Sequence, residues 1–211
     1  MFEVEYKGAN TVIMSTKKST LVTDPKLSLA GLKDASIKDV IELATEARFS
    51  LDNDSVRLKI EGPGEYGVGE FDIKGVAVQR HLDSASDPLR STMYRIEVGE
   101  LRIALIGNIY EKLSEEQLEE LGLIDILIIP VGGNGYTLDA TGAASLTRKI
   151  DPKVVIPVHY AEPGITYEVP QEPLDLFVKE LGAPVEEMPK YKLKPSALLP
   201  TVLTIIHLTR G

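Results

Sequence analysis

The stretch Leu113–Gly133, "LSEEQLEELGLIDILIIPVGG", sets the architecture of the chain. Ser114 stands where a helix N-cap belongs, Gln117 three residues on supplies the second half of a capping box, and Gly122 gives the helix its exit. The run "DILIIPV" that follows is apolar without alternation, as a strand covered on both faces must be. Two glycines then release the chain into a loop. A helix feeding a buried strand is the repeating unit of a layered α/β protein.

Downstream the unit recurs. After the loop of Gly132, Gly133 and Gly135, "TLDATGAASLTRKI" reads as a helix and "KVVIPVHY" as a second buried strand. "PLDLFVKELG" reads as a helix with Gly182 beyond its end, and "SALLPTVLTIIHLTRG" closes with a strand. Upstream the pattern is β-rich. "FEVEYKG", "TVIMST" and "STLVTDP" form an antiparallel meander, broken at Gly8–Asn10 and Lys17-Lys18 and ended by Asp24-Pro25. "SIKDVIEL" reads as a short helix running into a strand. "VRLKIEG" and "EYGVGEFDIKGVAVQR" read as a hairpin on Gly62-Pro63-Gly64, and "STMYRIEVGELRIALIGN" as a second one near Gly99. The expectation is one domain over residues 1–211, with Phe2 to Val98 building mostly one sheet, Leu101 to Leu208 the other, and helices outside.

Composition narrows the function. The chain has 211 residues, 43% of them hydrophobic and 26% charged, enough apolar surface to fold alone. A net charge of −9 and a pI near 4.9 oppose nucleic acid and anionic membrane as main partners. No cysteine is present, so a metal would rest on His, Asp and Glu. "MFEVEYKG" lacks the layout of a signal peptide and no apolar run reaches the ~20 residues of a membrane span, which makes a cytoplasmic location the expectation.

Reactive groups in layered α/β folds gather on loops beyond strand ends. Four stretches qualify and are expected to converge: "LATEARFSLDN", "VQRHLD", "LIGNIYE" and "IPVHYAEP". In the last, His159 is either a ligand or base at a strand mouth or a packed imidazole. His207, inside "TIIHLT", reads as a strand residue. Glu46 and Arg48 alternate, so they share a face and can pair. "VGGNGYTLDA" reads either as an anion cradle ahead of a helix or as a plain strand-to-helix connection.

In this order and spacing, "IEGPGEYGVGEFDIKGV", "STMYRIEVGELRIALIGNI", "LSEEQLEELGLIDILIIPVGG", "YTLDA" and "PKVVIPVHY" resemble the metallo-β-lactamase superfamily. Within it they are most similar to small bacterial proteins named metal-dependent hydrolases, relatives of the ascorbate-phosphate lactonases. The resemblance runs from about Phe2 to Leu181 and is densest from Ile60 to Tyr160. It implies a four-layer αββα sandwich whose sheet edges hold one or two zinc, manganese or similar ions, with a metal-bound hydroxide as attacking group. It also implies a ligand set: a His-x-His-x-Asp-His motif, a later histidine, the aspartate of a Gly-Asp pair and a final histidine before a tyrosine. His159 with Tyr160 matches the last of these, and His81 in "QRHLD" the later histidine.

The departures carry the chemistry. Glu46 and Arg48 stand where the resemblance implies the first two histidines, Ser50 and Leu51 where it implies Asp-His, and Gly107-Asn108 where it implies Gly-Asp. A catalytic zinc needs three protein ligands and an open position. His81 and His159 supply two, and Asn108 only a neutral carbonyl oxygen. The Arg48 guanidinium repels a dication by a few kcal/mol at ~5 Å and an effective dielectric of about 20. No resident metal is therefore expected, with His81 and His159 as residual candidates and zinc or manganese as the alternative.

The function expected is non-catalytic binding or assembly. His159 and His81 are its vestigial or residual catalytic pair, and Asn108, Glu46, Arg48 and Tyr160 its substrate contacts. The alternative is a divergent hydrolase of a small ester, lactone or phosphoester using His81 and His159 with Glu46 or Asp52. The partner is a small molecule or a protein, and the lactonase resemblance allows a homo-oligomer. His81, Asn108 and His159 are expected near one another at one sheet edge, with Arg48 turned inward toward Glu46, Asn108 or a backbone carbonyl.

Overall fold

Along β1 (Phe2–Gly8), Phe2, Val4 and Tyr6 are buried while Glu3, Glu5 and Lys7 face outward, the period-two pattern of a sheet covered on one side. A computed structural model of the chain describes residues 1–52, 54–82, 91–194 and 198–211. Its first sheet adds β2 (Thr11–Ser15), β3 (Thr20–Thr23), β4 (Ile41–Leu43), β5 (Leu58–Ile60) and a late strand, β13 (Tyr191–Leu193), in the order β13-β1-β2-β3-β4-β5. The meander β1-β2-β3 is antiparallel, whereas β4 and β5 continue in parallel with β3.

The second sheet contains β6 (Gly64–Val68), β7 (Phe71–Val78), β8 (Ser91–Val98), β9 (Leu101–Leu105), β10 (Ile126–Pro130), β11 (Val154–Val158), β12 (Val185–Met188) and β14 (Thr204–Leu208). Its order is β12-β14-β11-β10-β9-β8-β7-β6. The β10 and β11 runs, buried at every residue, occupy its parallel centre, where Ile128 pairs with both Leu105 and Ile156. Among the described residues three α-helices flank this sheet: α1 (Glu115–Leu121) packs on β7, α2 (Ala140–Ile150) on β10, and α3 (Leu174–Leu181) on α2. The α1 capping box forms as the sequence implies, with Gln117 N–H donating to Ser114 Oγ and Ser114 N–H to Gln117 Oε1. Apolar side chains from both sheets join in one core cluster. The fold is the αββα class.

The boundary between the sheets differs from the expected Val98/Leu101. Gly99 and Glu100 make a tight turn from β8 to β9, and Gly69 and Glu70 another from β6 to β7, so β6 through β9 are bound to one sheet. The chain changes sheets at Glu61–Pro63 instead. Gly62-Pro63 is therefore a crossover and not a hairpin, as suits a proline that has no N–H for a ladder. A Cβ on Gly75 would lie 2.8 Å from Gly62 O, which is how closely the crossover crosses β7. "SIKDVIEL" supplies β4 without a helix before it, and β12 and β13 are unforeseen strands. Among the described residues no helix is long and apolar enough to cross a membrane.

Candidate functional site

The parallel strands β3, β4, β9, β10 and β11 all end at one edge of the sandwich, so the loops that leave them meet there. Hydrogen bonds tie the sheets together behind these loops, among them Thr92 N–H to Thr45 O at 2.8 Å, Ser91 Oγ to Thr45 O at 3.2 Å and Tyr94 Oη to Ala44 O at 2.8 Å. Gly107 lets the β9 loop approach; a Cβ there would lie 2.6 Å from Thr45 Cβ.

Between the loops lies a cleft of about 370 Å³, within the range of small-molecule sites. Asn10, Asp24, Lys26, Arg48, His159 and Glu168 are its polar lining. Leu27, Leu29, Phe49, Tyr136 and Tyr167 are apolar or aromatic walls. Three of its residues, Ala9 (φ 47°), Asp24 (φ 41°) and His159 (φ 52°), hold left-handed backbones without being glycine. Each costs roughly 1–2 kcal/mol, and such outliers gather at functional sites.

Glu46 leaves β4 in extended conformation and its side chain is only 3% exposed. Arg48 sits on the short 3-10 turn that follows, its Nε 2.9 Å from Glu46 Oε2. Arg48 Nη2 donates to Tyr136 Oη at 2.8 Å, Nη1 lies 3.6 Å from Glu168 Oε2, and the guanidinium stacks 4.7 Å from the Phe49 centroid. Arg80 Nη1 reaches the same Glu46 oxygen at 3.5 Å. Burial pushes the Glu46 carboxyl up from its ordinary value, against the pull of both guanidiniums. Asp24 accepts from Thr45 N–H and Oγ1, both at 2.7 Å, yet burial raises it to about 7. Lys26 is half-buried and has no acidic partner among the described residues.

His159 follows β11 directly. Its N–H donates to Ala9 O at 2.9 Å, its ring stacks on Tyr136 with centroids 5.3 Å apart, and Tyr167 lies 4.5 Å away on it. Burial pushes its imidazole down to about 4. Nδ1 lies 3.1 Å from Gln171 Oε1.

Asn108 is buried and its Oδ1 accepts from Asn10 Nδ2 at 3.1 Å, so it stands next to the cleft through Asn10. His81 N–H donates to Asn108 O at 2.8 Å, but the ring turns away, Nδ1 lying 3.3 Å from Ile109 O. His81 and Asn108 thus connect to the His159 region through Asn10 and Ala9 without lining the cleft. Tyr160 points into the core instead of the cleft, stacked on Tyr6 at 6.0 Å with His207 at 6.1 Å. Ser50 Oγ and Leu51 N–H both donate to the buried Glu42, and Asp52 is exposed outside the cleft. Asn53 and Asp83, which end two of the expected loops, lie outside the described residues.

"VGGNGYTLDA" is a connection. Gly133 N–H donates to Leu138 O and Tyr136 N–H to Gly133 O, so these donors serve the turn, and the loop's contribution to the cleft is Tyr136. Asp24, Lys26, Tyr136, Tyr167 and Gln171 went unread in the sequence. The Asp24-Pro25 break and the glycine loop were the available signals for Asp24 and Tyr136.

Residues 3–159 match the family model of the beta-lactamase superfamily domain. The chain belongs to the metallo-β-lactamase superfamily. A UPF0173 metal-dependent hydrolase of Carboxydothermus hydrogenoformans is 27% identical over 101 residues, so the match spans 46% of this chain and 44% of that protein. One from Thermus thermophilus is 25% identical over 193 residues, covering 76% of this chain and 84% of that one. A Thermotoga maritima structure titled as a Zn-dependent hydrolase of the superfamily superposes with a TM-score of 0.77 at 21% identity, covering 99% of this chain and 100% of that one. At that identity it shows the fold.

The family implies a metal, and the donors here do not suit one. Glu46 Oε2 is shared by two guanidiniums, Asn108 Oδ1 is taken by Asn10, and His81 Nδ1 lies near Ile109 O. Among the described residues no three of His, Asp and Glu are grouped to hold an ion.

Proposed function

We propose that this chain is a small-molecule-binding member of its superfamily, acting in the Arg48–Lys26–His159 cleft without a resident dication. The observation that carries this is Arg48, whose guanidinium donates to Tyr136 Oη and pairs electrostatically with Glu46 and Glu168 where the family places metal ligands. A planar fork of donors satisfies several acceptors at once, which is what a site emptied of cations requires. The aromatic walls suit an apolar ligand body, and the Lys26 ammonium suits a single acidic group on it. A cytoplasmic, oligomer-forming protein without nucleic-acid partners belongs to the same proposal.

The test is elemental analysis of protein purified without chelator, joined to calorimetric titration with benzoate. Sub-stoichiometric zinc, manganese and iron with saturable benzoate binding, lost in Lys26→Ala, supports the proposal; stoichiometric metal overturns it. The second reading is hydrolysis of a small ester, lactone or phosphoester, favoured by the names of the relatives. A neutral His159 is chemically able to serve it as a base. Turnover of p-nitrophenyl acetate that rises with added zinc or manganese and vanishes in His159→Ala would replace binding with that activity.

A further inference from the structure

The amide of Gln171 has one orientation open to it. Its Nε2 lies 2.6 Å from Val169 O, an atom that can only accept, so the NH2 group faces Val169 and Oε1 faces the imidazole. Oε1 in turn can only accept, so the ring nitrogen 3.1 Å from it, His159 Nδ1, carries the proton. The reverse amide orientation would set two oxygens against each other at Val169. Gly132 makes room for the arrangement, since a Cβ there would stand 2.3 Å from both Gln171 Oε1 and His159 O. Tyr136 and Tyr167 hold the ring plane from its faces.

We infer that Gln171 is a positioning residue that fixes His159 in the Nδ1–H tautomer and so presents a bare Nε2 as the acceptor for an O–H or N–H group of the ligand. With the proton of the neutral ring on Nδ1 facing Gln171 Oε1, Nε2 keeps its lone pair. Of the other polar groups at the cleft, the Lys26 ammonium and the Arg48 guanidinium are donors, Glu168 faces Arg48, the Asp24 carboxyl is held by Thr45 N–H and Oγ1, and Asn10 adds a buried, unpartnered Oδ1. His159 Nε2 is thus, with Asn10 Oδ1, a buried acceptor opposed to the two cations, and the ligand class is a molecule that also donates a hydrogen bond at its buried end. An analogue without that donor would leave Nε2 unpaired, which is how hydrogen-bonding sites reject isosteres.

This rests on the binding function proposed above, and the experiment separates the two. Two-bond ¹H–¹⁵N correlation spectra of the full chain report the tautomer without any ligand. Protonated Nδ1 and unprotonated Nε2 are expected in the wild type. Gln171→Leu should lose this state and Gln171→Glu, which keeps an acceptor, should restore it. A proton on Nε2 in the wild type overturns the inference. The ligand arm compares 4-hydroxybenzoate with 4-methoxybenzoate as probes, both keeping the acidic group for Lys26. The hydroxy compound should bind about tenfold or more tighter and move the Nε2 resonance, with the preference lost in Gln171→Leu. Equal binding overturns the donor requirement, and binding of neither overturns the binding function itself while the tautomer result stands alone.

Discussion

Arg48 Nε lies 2.9 Å from Oε2 of Glu46, two residues earlier in the chain, and the two side chains form an ion pair at the mouth of the sandwich. The contact is possible because Glu46 is extended and Arg48 lies in the middle of the 3-10 turn Ala47–Phe49, which folds the longer side chain back over the shorter. The carboxylate is 3% exposed and the guanidinium 33%, so desolvation falls mainly on the acid. The pair therefore behaves as a buried acid supplied with cations, by Arg48 first and by Arg80 at 3.5 Å second.

Arg48→Ala leaves Glu46 with the longer of its two ion pairs and is expected to destabilise the protein by about 1–3 kcal/mol. For a chain of this length that corresponds to about 2–4 °C in Tm per kcal/mol. Glu46→Gln should reduce the loss, so a double-mutant cycle by chemical denaturation gives a coupling above about 0.5 kcal/mol. Additivity of the two single changes would show that the pair is an incidental surface contact.

Restoring the family's ligands should restore its metal. Glu46→His, Arg48→His, Ser50→Asp and Leu51→His together recreate the His-x-His-x-Asp-His pattern on a backbone that already has the superfamily fold. The new aspartate would face Glu42, which now accepts from Ser50 Oγ at 2.6 Å, and a bound cation relieves that repulsion. The quadruple variant should therefore be less stable than wild type without zinc, and zinc should raise its Tm while leaving the wild-type Tm unchanged. A zinc-dependent Tm in the wild type would contradict the role given to Arg48.

How much of this was legible from sequence follows from how local each signal is. The α1 capping box and the β10 and β11 runs are written in consecutive residues, and they were read correctly. The sheet switch was not, because Gly62-Pro63-Gly64 has the composition of a turn and only the pairing of β6 with β7 shows that the chain leaves the first sheet there. At the cleft, Arg48 and Glu46 could be matched because they replace motif positions. Gln171 could not, since its role depends on Val169 O and on space left by Gly132, neither of which has a sequence signature. His81 was matched by its motif, yet its ring direction is set by the Ile109 carbonyl, a contact no spacing reveals.

Gly132→Ala tests the link between packing and site. Its Cβ would fall 2.3 Å from the His159 carbonyl oxygen, a backbone atom with little freedom to withdraw. Overpacking of this kind costs about 1–3 kcal/mol, and here the relief must come from the β11 loop that bears His159. Crystallography or chemical-shift mapping should find the disturbance concentrated at His159, Gln171 and Tyr136. A variant with wild-type stability and unchanged His159 resonances would mean the loop is slack.

Asp24 and His159 should hide each other's pH dependence. Asp24 is raised by burial from 3.8 to about 7, so between those values the folded chain holds a proton the unfolded chain has released, and stability falls as pH rises. His159 is lowered by burial from 6.5 to about 4, so in that window the unfolded chain holds the extra proton, and stability falls as pH drops. Each arm has a limiting slope of about 1.4 kcal/mol per pH unit, and the slopes oppose one another wherever the windows overlap. Removing one partner exposes the other. Relative to wild type, Asp24→Asn should gain stability progressively from pH 4.5 to 6.5, because the His159 arm then acts alone. His159→Gln should lose stability relative to wild type over the same interval, because only the Asp24 arm remains. Urea unfolding of the three proteins at half-unit pH steps gives both differences directly. Two variant curves parallel to the wild type would show that neither group keeps its buried, shifted state in solution, and curves diverging in the same direction would show that one of the two shifts has the opposite sign.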